Sequence, residues 1–193
     1  MRLVFSSRNE HKLREFRVLL EPHEVVPLPD GVTLPPESGE TFEDNARVKA
    51  VAAAEATGSP AVADDSGIEA AALGGRPGVR SARYAGENAT DEENLAKLLA
   101  EVPADGDRDV AYVCALAYAE PGGAPRVFTE RCEGQLAKEP RGDGGFGYDP
   151  AFVPADTDDG RTMAELSVAE KDAISHRGRA ARAFLDWLGG GGA

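Results

Sequence analysis

Two adjacent carboxylates, Asp64 and Asp65, follow the short apolar run Ala61-Val62-Ala63 and precede Ser66-Gly67. A strand ending in Asp-Asp delivers charge at the carboxyl edge of a sheet, where open α/β sheets bind ligands. Oxygen donors with few histidines nearby suit a hard cation such as Mg²⁺ rather than zinc. Alone, this pentapeptide is equally compatible with a polar turn after a strand. Other segments carry complementary chemistry. Ser7-Arg8-Asn9-Glu10-His11-Lys12 lies where a strand gives way to a helix, so backbone N–H groups, the helix dipole and Lys12 could converge on an anion. It lacks the glycines and the Gly-Lys-Ser/Thr ending of a Walker loop. Lys49 stands among alanines and a valine on a helix that begins beside Glu37 and Glu40; a lysine snorkelling from an apolar face would look the same. Gly142 to Gly147 is dense in glycine, and Phe146-Gly147-Tyr148-Asp149 adds two rings able to stack on a base and a carboxylate able to accept from a ring N–H. Lys171 and Ser175 fall one helical turn apart, with His176 and Arg177 adjoining.

The elements that must position these groups follow from hydrophobic period and punctuation. Arg2 to Ser6 reads as a strand, and Asn9 to Leu20 as a helix with Leu13, Phe16, Leu19 and Leu20 on one face. His23 to Leu28 is a second strand, and Pro27 to Pro36 a proline-rich loop. Phe42, Ala46, Ala50 and Ala53 give Thr41 to Thr57 a helical period that stops at Gly58. The strand into Asp64 comes next, then the loop Leu73-Gly74-Gly75-Arg76-Pro77-Gly78. Thr90 and Glu93 form a capping box ahead of Leu95, Leu98 and Leu99. Asp109 to Ala119 and Arg126 to Glu133 flank Pro121-Gly122-Gly123 as an antiparallel hairpin. A last helix carries Ile174, Ala181, Phe184, Leu185 and Leu188 on its buried face. Strands alternating with helices, plus one hairpin, predict an α/β domain on a mixed sheet, without linker or repeat.

Composition narrows the function. The 193 residues suffice for one domain with a substantial core, or two small lobes, and the hydrophobic fraction of 41% suits a globular protein. A formal net charge of −13 argues against a general nucleic-acid or anionic-membrane surface, since counterion release needs clustered cations. No leader-like segment and no run near the roughly 20 apolar residues of a membrane helix is present, so a cytoplasmic protein is expected. Cys114 and Cys132 show no metal-ligand spacing and are expected as reduced core thiols, although the hairpin would bring them near enough to pair.

Taken in order, Ser7 to Lys12, Glu37-Ser38-Gly39-Glu40-Thr41-Phe42 with Asn45-Ala46 and Lys49-Ala50, Ala63 to Gly67, Gly145-Phe146-Gly147-Tyr148-Asp149-Pro150 and Ser175-His176-Arg177-Gly178 resemble the inosine triphosphate pyrophosphatases, the XTP/dITP diphosphatases that cleanse nucleotide pools. Leu73 to Gly78 followed by Ser81-Ala82-Arg83-Tyr84 resembles the same family, so the likeness spans almost the whole chain. The resemblance implies an elongated α/β fold, a mixed sheet flanked by helices, two lobes with a central cleft, a Mg²⁺-dependent reaction and a homodimer. It implies that Ser7, Arg8, Asn9, Glu10, His11 and Lys12 bind the triphosphate with help from Lys49. Glu37 and Asp65 would hold metal, Asp65 would also accept the proton, and Ser66 would touch substrate. Phe146, Gly147, Tyr148, Asp149, Lys171, His176 and Arg177 would surround the base. Arg8 stands where many relatives have glycine, which bears on how closely that loop approaches a phosphate.

The chemistry implied is hydrolysis between the α- and β-phosphates of ITP, dITP or XTP, giving a monophosphate and pyrophosphate. It needs neutralised phosphate charge, a positioned water and a carboxylate or metal to activate it. No side-chain nucleophile is required: neither cysteine has a histidine nearby in sequence, and Ser66 has no evident triad. Two alternatives remain, a related-fold hydrolase of modified pyrimidine triphosphates and a non-catalytic nucleotide-binding module. The second would be expected to lack the carboxylates that Glu37 and Asp65 supply.

Overall fold

The computed structural model describes residues 1–191. Six strands form one mixed sheet in the order β2-β1-β3-β4-β5-β6. They are β1 (Arg2–Phe5), β2 (Glu24–Pro27), β3 (Ala61–Ala70), β4 (Asp109–Ala119), β5 (Arg126–Leu136) and β6 (Phe152–Pro154). β1 runs parallel to both β2 and β3, with Leu3 opposite Val25 and Phe5 opposite Val62, whereas β5 and β6 are antiparallel. The helices are α1 (Glu10–Leu19), α2 (Phe42–Thr57), α3 (Asp91–Glu101), α4 (Val168–Ile174) and α5 (His176–Gly189). No helix among the described residues is long and apolar enough to cross a membrane.

Local chemistry accounts for the helix limits. Asn9 caps α1 by accepting from the Lys12 amide, Thr41 caps α2 by accepting from Asp44, and Gly58 ends α2 at φ 62°, a left-handed conformation that suits glycine. The Thr90–Glu93 capping box at the start of α3 is present with both of its hydrogen bonds. The chain forms two compact units. One holds residues 1–65, 114–130 and the segment from 177 onward; the other holds 66–113 and 131–176. The first has its own core of Leu3, Phe5, Leu13, Phe16, Val62, Leu116 and Phe184, and the second packs Ile68, Leu95, Leu98, Tyr112, Phe152 and Met163. Burial of each such large side chain contributes about 1.5–3 kcal/mol.

Three expectations are corrected. The strand carrying Asp64 does not end there but continues to Ala70, so the carboxylates lie within β3 rather than at its tip. A strand tolerates them because cations come to meet them, as described below. Gly67 accordingly marks a close approach and not a turn: a Cβ there would collide with Ser81 Oγ and the Gly78 carbonyl. Since Ser81 is held by Ile68 and Gly78, little can yield, and Gly67→Ala should lower stability by about 1–3 kcal/mol in a urea titration.

The last helix is two helices. Ser175 adopts φ −64°, ψ 155° after the Ser167–Glu170 capping box has started α4, and its amide closes α4 on the Lys171 carbonyl. Ile174 therefore packs in the second unit's core and not on the face of α5. Thirdly, β5 runs to Leu136, because β6 pairs with its end from Gly134 to Leu136. Neither cysteine forms a disulfide, and both are buried.

Candidate active site

In the first unit, Asp64 is wholly buried, and cations from two helices reach it. Lys12 of α1 places Nζ 2.5 Å from Oδ1, and Arg177 at the start of α5 places Nε 3.3 Å from Oδ2. Arg177 also donates from Nη1 to Glu15 Oε2 at 3.0 Å. Burial alone would raise the Asp64 carboxyl, but Lys12, Arg177 and Lys49 outweigh it and hold the group well below the usual carboxylate range.

Asp65, next along β3, has a different environment. Asn45 Nδ2 donates to its Oδ2 at 2.9 Å, and Lys49 Nζ lies 3.7 Å from Oδ1. Burial, reinforced by Glu37, raises the Asp65 carboxyl against the opposing pull of Lys49, Lys12 and Asn45. Two neighbouring aspartates are thus separated into a permanent anion and a more basic carboxylate. That division is what a charge holder and a proton acceptor require.

Lys49 is the bridge. Its ammonium donates to Glu37 Oε1 at 2.6 Å and to the Asp64 carbonyl at 2.8 Å, on a residue only 6% exposed. Burial disfavours its charge, yet Asp65, Glu37 and Asp64 together raise its pKa, so it remains an ammonium. The snorkelling alternative is excluded by this inward geometry. Asn45 precedes Lys49 by four residues and so shares its face of α2. That i, i+4 spacing is the sequence signal for Asn45.

The residues from Ser7 to Lys12 distribute unevenly. The Ser7 hydroxyl accepts from the Asn9 amide at 3.1 Å, and Asn9 caps α1, while Glu10 and His11 are exposed. The Arg8 guanidinium turns to the carbonyls of Leu28, Pro29, Asp30 and Val32. It therefore pins the proline-rich loop, leaving its backbone, with no positive φ, as the part of Arg8 that could face a phosphate. Cys114 Sγ lies 3.8 Å from Asp64 Oδ2, and burial followed by the Asp64 charge keeps its thiol pKa well above normal, which is unsuitable for a nucleophilic thiolate.

In the second unit, Asp149 is 3% exposed and accepts from three donors. Tyr112 Oη reaches Oδ1 at 3.0 Å, while Lys171 Nζ at 2.8 Å and the Phe146 amide at 3.0 Å reach Oδ2. Lys171 Nζ is thereby held 5.3 Å from the Phe146 ring centroid, and Gly147 donates to Asp91. Tyr148 differs from expectation. Its ring is buried in the core and its hydroxyl donates to the Ser81 carbonyl at 2.7 Å, so it anchors the loop; Phe146, half-buried, is the ring of this loop with exposed surface. His176 is 3% exposed, and Ser66 half-buried. Tyr112, missed in the sequence, lies in a continuous apolar run whose period distinguishes no residue.

The residues present fit a magnesium ion. Glu37 and Asp65 converge on one ammonium and offer only oxygen donors. Magnesium is commonly held by one or two carboxylates together with substrate phosphates and water.

Comparison with known proteins adds independent information. A protein of Geobacter sulfurreducens named dITP/XTP pyrophosphatase is 49% identical over 97% of this chain and 96% of its own length. One of Frankia alni with the same name is 52% identical over 94% of each. Among solved structures, the Ham1 protein of Staphylococcus aureus matches with a TM-score of 0.87 at 38% identity, covering 98% of this chain and 99% of that one. The Ham1 protein of Coxiella burnetii matches with a TM-score of 0.86 at 43% identity over 97% and 98% of the two chains. With the family profile matching residues 3–187 as well, this chain belongs to the Ham1 family.

Proposed function

We propose that this protein hydrolyses non-standard purine nucleoside triphosphates, of the dITP, XTP and ITP type, to the monophosphate and pyrophosphate. The observation that carries the reading is the cluster of Lys12, Lys49 and Arg177 with Glu15, Glu37, Asp64 and Asp65, in which Lys49, Asp64, Asp65 and Arg177 are buried and Glu37 opens to solvent. Three cations against four carboxylates leave a formal charge of about −1. Such a cluster is not an anion site on its own, and that supports a requirement for a divalent cation to bring in a polyphosphate.

Lys12 and Lys49 bind the phosphates, each turning further ammonium N–H donors to phosphate oxygens while its carboxylate partner keeps it in place. Glu37 and Asp65 would hold a magnesium ion, which when bound would neutralise charge on the phosphates. Asp65, with its raised pKa and its orientation fixed by Asn45, accepts the proton of the attacking water. Asp64 remains ionised and holds Lys12 and Arg177 in place. Attack at the α-phosphorus with Lys12 and Lys49 on the leaving side releases pyrophosphate.

The base end is assigned to Phe146, Asp149, Lys171 and His176. Hypoxanthine and xanthine present an acceptor oxygen at position 6, matched by nitrogen donors on Lys171 and His176, whereas adenine presents an amino donor. Leaving buried donors unmatched should lower kcat/KM for ATP below that for ITP by on the order of 100-fold or more.

The test is Mg²⁺-dependent pyrophosphate release from ITP, XTP and ATP, with products separated chromatographically. Inosine monophosphate and pyrophosphate are expected. Orthophosphate and a nucleoside diphosphate as primary products would refute the proposed geometry.

A further inference from the structure

Tyr112 belongs to none of the motifs on which the functional reading rests, yet it touches two residues assigned to the base. It is 6% exposed and lies in β4 between two aromatic partners. On one side the His176 ring stacks on it, with centroids 4.6 Å apart and planes inclined by 14°. On the other lies Phe152, itself fully buried, at 4.3 Å and 22°. At the tip of the same side chain, Oη donates to Asp149 Oδ1 at 3.0 Å, and the other oxygen of that carboxylate holds Lys171. A single side chain thus restrains the imidazole through its face and the Asp149–Lys171 pair through its hydroxyl.

The two restraints act on different groups. Stacking fixes the plane of His176 and hence the direction of its ring nitrogens, which carry all its hydrogen-bonding capacity. The hydroxyl donates to Oδ1 of a buried carboxylate whose Oδ2 is held by Lys171 and the Phe146 amide, and so restrains its terminal torsion from the other oxygen. Phe152 backs Tyr112 and prevents the stack from relaxing.

We propose that Tyr112 is the positioning residue of purine recognition, setting the plane of His176 and the placement of Lys171 so that both donors meet a 6-oxo base. The inference rests on the reading of the second unit as the base end. It predicts a separable effect: Tyr112 variants should impair base recognition while sparing binding of the phosphate chain.

Two substitutions divide the two restraints. Tyr112→Phe keeps the stack and removes the hydroxyl, and KM for ITP should rise on the order of 3- to 10-fold with kcat changed less than about twofold, the effect of one lost hydrogen bond. Tyr112→Leu also removes the stack, and KM should rise on the order of 10- to 100-fold while the ITP over ATP preference in kcat/KM falls by a similar factor. Inhibition by inorganic tripolyphosphate should keep its wild-type constant in both variants, a readout that general damage to the fold would move.

Imidazole proton resonances give a measurement independent of turnover. The chain has three histidines, so the His176 signals can be assigned by substitution. The ring-current displacement of His176 should persist in Tyr112→Phe and vanish in Tyr112→Leu. A wild type that hydrolyses ITP and ATP equally would overturn the functional reading. Given wild-type selectivity, unchanged KM and selectivity in Tyr112→Leu would overturn the role of Tyr112, as would equal losses of nucleotide and tripolyphosphate binding. An unshifted His176 signal in Tyr112→Leu would overturn the stacking restraint itself.

Discussion

Replacing Asp65 by asparagine should lower kcat on the order of 100-fold or more while leaving the fold and its unfolding midpoint nearly unchanged. The substitution preserves shape, and the amide oxygen can still accept from Asn45 Nδ2, so the local hydrogen bond survives. What disappears is one negative charge beside Lys49 and the proposed proton acceptor, a carboxylate whose pKa burial and Glu37 raise. Stability should change little because Lys49 retains Glu37 at 2.6 Å and the Asp64 carbonyl at 2.8 Å. Steady-state kinetics at several Mg²⁺ concentrations, with urea unfolding alongside, separates the two effects. Near-normal turnover at saturating Mg²⁺ would remove Asp65 from the chemistry altogether.

The neighbouring substitution should behave differently. Asp64→Asn should cost about 3–5 kcal/mol of folding stability, because removing one partner of a buried ion cluster leaves the others uncompensated. Here the exposed surface is small: Asp64 is wholly buried and the Arg177 side chain is 8% exposed, although Lys12 at 15% can recover some hydration. Turnover should fall as well, since Lys12 and Arg177 lose the anion that places them.

The pH dependence has a defined sign. Asp64 has a folded pKa held below its unfolded value of about 4, so near that pH the unfolded chain binds more protons and stability rises with pH. The contribution is fully present above the unfolded pKa and is lost as pH falls towards the folded one. Urea midpoints measured from pH 7 down to pH 3 should therefore decline more steeply for the wild type than for Asp64→Asn. Parallel declines would mean that Asp64 is not the anion on which the cluster depends.

These contrasting expectations for adjacent residues show where sequence reading stops. Asp64 and Asp65 are indistinguishable by type and position along the chain. What separates them is alternation: in β3 successive side chains point to opposite sides, so Asp64 meets Lys12 and Arg177 while Asp65 meets Asn45 and Lys49. Lys12 and Arg177 are far apart in the chain, and no period or motif announces that both reach one carboxylate.

The sequence by itself determined the order of the main elements from β1 to β5, the mixed α/β class and the helix limits at Asn9, Thr41, Gly58 and Thr90, because caps, glycines and apolar period act over a few residues. The order of its motif-bearing segments also pointed to the family to which the chain belongs. Tertiary structure alone decided how those side chains are used. It carried β3 past its carboxylates, broke the last helix at Ser175, turned Arg8 to the proline-rich loop and buried the Tyr148 ring. It also brought Tyr112 between His176 and Phe152, out of an apolar strand in which every residue looks alike. The physical reason is range: propensity and capping are local, whereas charge compensation and close packing depend on partners that only the folded chain brings within a few ångströms.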